Sequence, residues 1–500
     1  MAAGRSDDAD LRETAGGVET VGRGFFDGIK GTRGFSDLRC GQVLSNSLGT
    51  KPKEARLSNP SLHLPPHLHY DCVQCGRGCA DFWEIPVDEA SERRLASHDL
   101  KPHQQRLKDS PPIVPSAFDS GKALCRENDV CTFLTEGKTC ALHTALGPKV
   151  KPQACIDFPF RTVETPGGDY VGLSFACTAV LRDHGRPIEE HRAELTEELP
   201  RSVHRLNAQK PVQLSQRLTL SFGAYLHLEE ALDSILALEA VPLGARLACM
   251  AQFLDVVLEA FRAARLSGES PVELSVEEQL AAQTATDEAI MLGLRRRFES
   301  DRWGRLLAKA LRERPQPAQH RAFIGLIASY RQALWRGATR RSALIYLVGH
   351  FLRGAFFLRS VQLKPLESRM TPRDVRRHWP EDRPGSERDR LLTRFFRHAL
   401  FRKDLLLAKN LRTGLQFMLM QYALVNWYTV AWSMETEAGR TPENLHQEAL
   451  RTVEKYYGNH SRFTSFLESQ PMLSAMLESM MNNRKYPYSM VAAPFAREEE

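Results

Sequence analysis

The sequence lacks several features that would assign it quickly. Its opening, Met-Ala-Ala-Gly-Arg-Ser-Asp-Asp-Ala-Asp, has no apolar run of the kind a secretory signal needs. A cytoplasmic location is therefore expected, in a reducing compartment where structural disulfides are rare. The longest apolar stretch, residues 415–432, is interrupted by Gln416, Gln421 and Asn426 and preceded by Arg412. Such amides suit a buried core helix better than a membrane span, so no membrane partner is expected. There is no G-x-G-x-x-G loop after a strand, no P-loop, no G-x-S-x-G elbow and no H-E-x-x-H pair, so no nucleotide or hydrolase site declares itself. No fixed period marks a solenoid. Charge of one sign is also scarce: 67 basic residues against 61 acidic leave a net charge of +6. That balance does not call for nucleic acid as a partner.

What is present is an ordinary globular composition, 42% hydrophobic and 26% charged over 500 residues, enough to bury a large core without disulfides. Residues 1–60 are rich in Gly, Ser, Asp and Arg and read as a flexible leader holding Cys40, a bystander. Residues 61–184 have the texture of a small, irregular α+β domain. In it, residues 81–87 alternate like a strand, and Asp88 suits the N-cap of a helix through about residue 96. Residues 101–121 read as loop, and Gly147-Pro148 would stop a short helix that starts near Cys140. Residues 158–164 and 170–175 read as a hairpin with a five-residue loop.

From 185 to 490 the pattern is helical. Leu214, Leu218, Phe222, Tyr225 and Leu226 recur at helical spacing. Similar stripes cover 247–266, 303–311, 323–334 and 343–358, and residues 391–432 suggest two helices. Thr441-Pro442 suggests an N-cap and first-turn proline for another, ending near Tyr457. The fold class expected is mainly α, with a small metal-stapled cysteine-cluster domain followed by a large irregular all-α domain. The basic groups Arg295-Arg296-Arg297 and Arg340-Arg341 read as solvated helix faces. The aromatics of 351–357 and 427–432 read as core.

The richest signal is cysteine. Eight of the ten fall between Cys72 and Cys177, in a window where even scattering would place about two. Cys72-Val-Gln-Cys75-Gly-Arg-Gly-Cys79 puts two sulfurs on one turn, and a third can fold back across Gly76 and Gly78. Structural zinc takes four ligands and iron–sulfur clusters usually take four cysteines, so further ligands must come from elsewhere. Cys131, Cys140 and Cys155 are the obvious suppliers, and Cys125 and Cys177 raise the total to eight, enough for two sites. Any of these can instead be a buried thiol. His67, His69 and His143 are held in reserve as ligands, while Asp81, Glu84 and Asp157 can serve as hydrogen-bond partners or turn caps.

The ordered motifs resemble a known family. Cys72-x2-Cys75-Gly-x2-Cys79, then Cys131-Thr-Phe-Leu-x5-Cys140-Ala-Leu-His143, then Pro152-x2-Cys155-x2-Phe158-Pro159, is similar to the YkgJ family, and the likeness covers residues 70–180 best. The resemblance implies a zinc- or iron-chelating cysteine cluster. Gly78-Cys79 stands where many members carry a Cys-Cys doublet. Trp83-Glu-Ile-Pro-Val-Asp88, Gly172-Leu-Ser-Phe-Ala-Cys177, Tyr456-Tyr-Gly-Asn-His-Ser461 and the long helical region resemble the branch containing flagellin lysine N-methylase, FliB. That likeness implies an iron–sulfur cluster, S-adenosylmethionine as methyl donor and a protein substrate such as flagellin. Three functions are therefore expected in turn: a metal-binding protein holding an iron–sulfur cluster or zinc, a FliB-like protein lysine N-methyltransferase, or a structural zinc module in an interaction protein.

Overall fold

Asp88 does what its position predicts. Its side chain accepts the Ser91 N–H and opens helix α1, Glu89–Ala96. In the computed structural model, residues 61–80, 84–116, 121–128, 130–198, 202, 205–208, 211–267, 276–299, 302–335, 360–440, 442–458 and 471–495 are described. The leader expected over 1–60, the stripe at 343–358, Arg340-Arg341 and the aromatics of 351–357 lie outside them. Asn59–Glu500 forms one compact unit, largely helical with several small sheets.

Short strands organise its N-terminal part. β1 (Leu62–His63) and β2 (His69–Tyr70) precede the cysteine knot, and β3 (Pro86–Val87) follows it. β4 (Ile113–Pro115) and β5 (Lys122–Leu124) complete a three-stranded antiparallel sheet ordered β3-β5-β4. The stretch expected to be loop at 101–121 thus contributes a strand, because alternate sheet positions supply Ile113 to the small core beneath. β6 (Arg126–Glu127) and β7 (Val130–Cys131) form a tight antiparallel pair. α2 (Ala141–Leu146) ends at Gly147, as expected, and α3 (Gln153–Asp157) follows.

The main hairpin comes next. β8 (Phe160–Thr165) and β9 (Gly168–Leu173) pair from Phe160–Leu173 to Thr165–Gly168. Only Pro166 and Gly167 lie between the strands, so the turn is three residues tighter than the five-residue loop expected. Thr165 explains the tightening: its hydroxyl donates to Gly168 O at 2.8 Å and accepts the Gly167 N–H at 3.2 Å. α4 (Thr178–Arg182), β10 (Arg186–Pro187) and α5 (Arg192–Glu198) lead to β11 (Arg205–Asn207). β1 and β11 flank the hairpin in parallel, giving the sheet order β1-β9-β8-β11.

The segment expected to begin the helical region instead forms a second hairpin, β12 (Val212–Ser215) and β13 (Leu218–Leu220). Helix starts only at α6 (Phe222–Leu236), where Ser221 caps the Ala224 N–H. α7 (Leu243–Ser267), α8 (Val276–Glu299), α9 (Arg302–Arg312) and α10 (Pro317–Trp335) follow. A two-stranded ribbon, β14 (Val361–Gln362) and β15 (Arg369–Met370), interrupts the helices. Beyond it lie α11 (Pro372–His378), α12 (Glu387–Phe401) and α13 (Leu411–Glu437), the last two being the pair expected over 391–432. α14 (Leu445–Tyr457), α15 (Pro471–Met481) and α16 (Tyr486–Val491) complete the described chain.

Two hydrophobic cores result. The larger runs from Leu64 to Met490, joining β9 and α4 to the long helices. The smaller holds Ile85, Val87, Leu95, Leu100, Leu124, Cys131, Phe133, Leu142 and Val150, with Cys79, Cys140 and Cys155 packed against it. α13 is central to the first. Gln416 donates to Met481 O and Asn426 accepts from Arg388, so two of the three amides that interrupt its apolar run have partners inside the protein. Among the described residues, no helix is long and apolar enough to cross a membrane.

Candidate metal centre

The cysteine knot is split by its own turn. Gln74 and Gly76 have φ of 49° and 64°, a left-handed stretch in which glycine is at ease and a β-carbon is not. At Gly76 an added Cβ would also sit 3.0 Å from the Lys138 backbone oxygen. The turn is closed when Gly76 O accepts the N–H groups of Cys79 (3.0 Å) and Ala80 (3.1 Å). Cys72 and Cys75 are thereby left on one side and Cys79 on the other.

On the far side, backbone pairing gathers four sulfurs. Cys131 N–H donates to Cys79 O at 2.8 Å, and Ala80 bridges Val130. Ala141 N–H donates to Phe133 O at 2.8 Å, and Leu134 bridges Cys140. α1 brings in the fourth: Ser91 Oγ accepts the Gln153 N–H at 2.9 Å and Arg94 donates to Lys151 O at 2.9 Å, seating α3 and Cys155. Cys79, Cys131, Cys140 and Cys155 then lie within electrostatic reach of one another at the edge of the small core.

Burial dominates the acidity of Cys79, Cys131 and Cys155, with their neighbours adding to it. Cys79 is pushed up to about 11 by burial and then by Cys140, and Cys131 to about 12 by burial with Cys79 and Cys140 beside it. Cys155 is raised well above the ordinary thiol range for the same reasons. Lys151 and Arg126 oppose the shift at Cys79. Thiolates gathered this closely would repel one another, and a cation among them would reverse that balance. The donor set is that of tetrahedral zinc or a four-cysteine iron–sulfur cluster. Among the described residues, no three His, Cys, Asp or Glu side chains are arranged as a closed metal cage. The four cysteines are collected without converging on one point.

A second set forms on the near side. β2 pairs antiparallel with β10, and Asp71 N–H donates to His184 O at 2.9 Å. This fastens the start of the knot beside α4, whose N-cap is Cys177. Cys75 Sγ donates to Thr178 Oγ1 at 3.4 Å. Cys177 is raised to about 11 by burial, while the backbone N–H groups of Val180 and Ala179 pull it down and Cys75 and Cys72 push it up. The Tyr70 hydroxyl shares a hydrogen bond with Cys72, and burial with Cys177 and Cys72 nearby drives it far upward. The two sets meet at the turn, where Cys75 also acts on Cys79.

Helix α14, late in the chain, closes over this second set, which nothing in the sequence announced. Arg77, inside the knot, pairs with Glu448, and Arg182 of α4 pairs with Glu443. Arg451 is depressed by burial and feels Glu448, Cys75 and Cys177. Tyr70, Thr178 and Arg451 are the site residues that sequence reasoning missed. Only the Thr next to Cys177 offered a local signal.

The remaining candidates stand apart. Cys125 is buried, with its N–H on Pro112 O at 2.9 Å and its carbonyl accepting from Thr132 at 3.0 Å. Burial raises its thiol, and no other cysteine acts on it. His67 and His143 are exposed, and His69 turns its Nδ1 toward Asp183 at 3.4 Å. Asp157 accepts from Gln153 at 2.9 Å and Ser202 at 3.0 Å, fastening α3, and Glu84 accepts from Ser116 at 2.7 Å. Asp81 lies outside the described residues. Cys249, on α7, is fully buried in the large core.

No family model matches the chain, and no curated protein or solved structure matches it either.

Proposed function

We propose that this is a metal-binding protein of the YkgJ kind, holding an iron–sulfur cluster or zinc through Cys79, Cys131, Cys140 and Cys155. Cys72, Cys75 and Cys177 form a second, three-sulfur set beside it. The observation that carries the reading is the backbone pairing that gathers these four cysteines at the edge of the small core, with Cys131 N–H on Cys79 O, Leu134 bridging Cys140, and Cys79, Cys140 and Cys155 packed against that core. Size supports it. Among the described residues the small core is built from nine buried side chains, and cores of that extent commonly need a metal or other staple. Lys151 and Arg126, already leaning on these sulfurs, would offset part of the negative charge of a four-thiolate centre.

The test is anaerobic purification with iron, zinc and acid-labile sulfide measured beside a visible spectrum, for the wild type, Cys155→Ser and Cys125→Ser. Metal near stoichiometry is expected in the wild type and in Cys125→Ser, and its loss in Cys155→Ser. Iron with sulfide and a brown colour identifies a cluster, whereas colourless zinc identifies a structural site. Equal metal in all three proteins, or none in any, would reject the assignment.

A further inference from the structure

A cavity of about 680 Å³ opens far along the chain from the cysteines, between the β12–β13 turn, the end of α7 and the start of α13. Its wall carries Arg217, Arg262, Arg265, Lys409 and Arg412 against a single carboxylate, Glu478. Three of the five cations have partners: Arg265 on Asp287 at 2.8 Å, Lys409 on Glu478 at 3.2 Å, and Arg412 near Asp255 at 3.7 Å. Arg217 and Arg262 are exposed and have no ion-pair partner among the described residues.

This concentration of charge is unlike the rest of the molecule, where basic and acidic residues nearly cancel. Three of these cations are offset by Asp287, Glu478 and Asp255, which leaves a local surplus of positive charge at Arg217 and Arg262 that a bound anion would neutralise. The 27-residue α13 adds to the field, because its N-cap Asn410 is on the wall and its positive end faces the same space. Guanidinium forks match phosphate oxygens in pairs. None of the described lining residues is aromatic, so there is no surface on which a nucleobase would stack.

We propose that this cavity is a binding site for a compact, multiply charged phosphoanion, a soluble phosphorylated small molecule or polyphosphate. Arg217 and Arg262 supply the uncommitted charge, and the paired cations shape the field around it. The site does not depend on the metal reading, and either can fail alone.

The experiment is calorimetric titration of inorganic pyrophosphate into the full chain as purified, at low and raised salt. Saturable binding that weakens as salt rises is expected. The double variant Arg217→Ala/Arg262→Ala should bind more weakly by about tenfold for each guanidinium lost. Arg217→Lys/Arg262→Lys should keep most of the affinity. Because both side chains are exposed, the thermal melting curve should not move in either variant. No saturable binding would overturn the proposal, as would unchanged affinity in the alanine variant. Binding only to vesicles bearing phosphoinositides, and not to pyrophosphate, would overturn it as well.

Discussion

His398 sits where the β8–β9 sheet meets the helices. Its Nε2 accepts the Leu173 N–H at 2.8 Å, which requires a neutral ring. Burial, with the Arg402 charge beside it, holds the imidazole down at about 3. His320 is held at about 4 by burial, accepting from Trp427 at 2.9 Å while facing Ala492 O at 3.1 Å. Both shifts have the same sign. Below pH 6.5 the unfolded chain takes up protons that the native rings refuse, so stability falls as pH drops from 6.5 toward 3. Denaturant titrations across that window should show the fall, and His398→Gln, whose amide can accept without titrating, should make it shallower while His320 keeps its share. A variant with the wild-type slope would show that His398 does not contribute. Next to Leu173, Gly172 leaves no room for any side chain: in that place a Cβ would lie 2.2 Å from Arg402 Cγ. Gly172→Ala is expected to cost about 2 kcal/mol through overpacking, read from the shift of the urea midpoint.

At the scale of elements, Arg402 is the knot that ties the sheet, α12 and α14. Its guanidinium donates to Leu173 O at 3.0 Å, Glu454 at 2.5 Å and Asp404 at 2.6 Å, with all three side chains buried. Burial alone would raise Asp404, but Arg402 and Arg161 outweigh it and bring the carboxyl down to about 2. Arg402→Met would leave two buried carboxylates short of a partner, at a cost of about 3–5 kcal/mol by denaturant unfolding. Elements with local causes were legible in the sequence. α1 was readable from Asp88, and the pair α12 and α13 from an apolar period. The β12–β13 hairpin was not, because Leu214 and Leu218 stand four apart, a spacing that two strands across a turn imitate. α14 starts at Leu445 rather than near Pro442, since Asn444 takes the His446 and Gln447 N–H groups at 3.1 and 3.0 Å. The cysteines were recognisable as a cluster, yet their grouping depends on strand pairings and on the turn at Gly76. The approach of α14 was invisible, with Arg77 and Glu448 separated by 371 positions.

On the scale of the molecule, the two cysteine sets belong to different cores. The four-sulfur set borders the small core, whereas Cys177 and Tyr70 pack against the large one. Metal binding by the first set should therefore be coupled to the folding of the small core, because a site absent from the unfolded chain converts binding energy into folding energy. The large core includes α6, α7, α12 and α13 and buries enough side chains to stand without that contribution. Opening of the small core is then a sub-global event, with its own free energy below that of global unfolding. Hydrogen exchange before and after anaerobic chelation measures this. Protection should fall in peptides covering α1, β5, α2 and α3 and stay unchanged in α13. Uniform loss across both regions would mean that the metal supports the whole unit as one cooperative body. No change anywhere would mean that the small core folds without metal, and the stapling role would have to be abandoned.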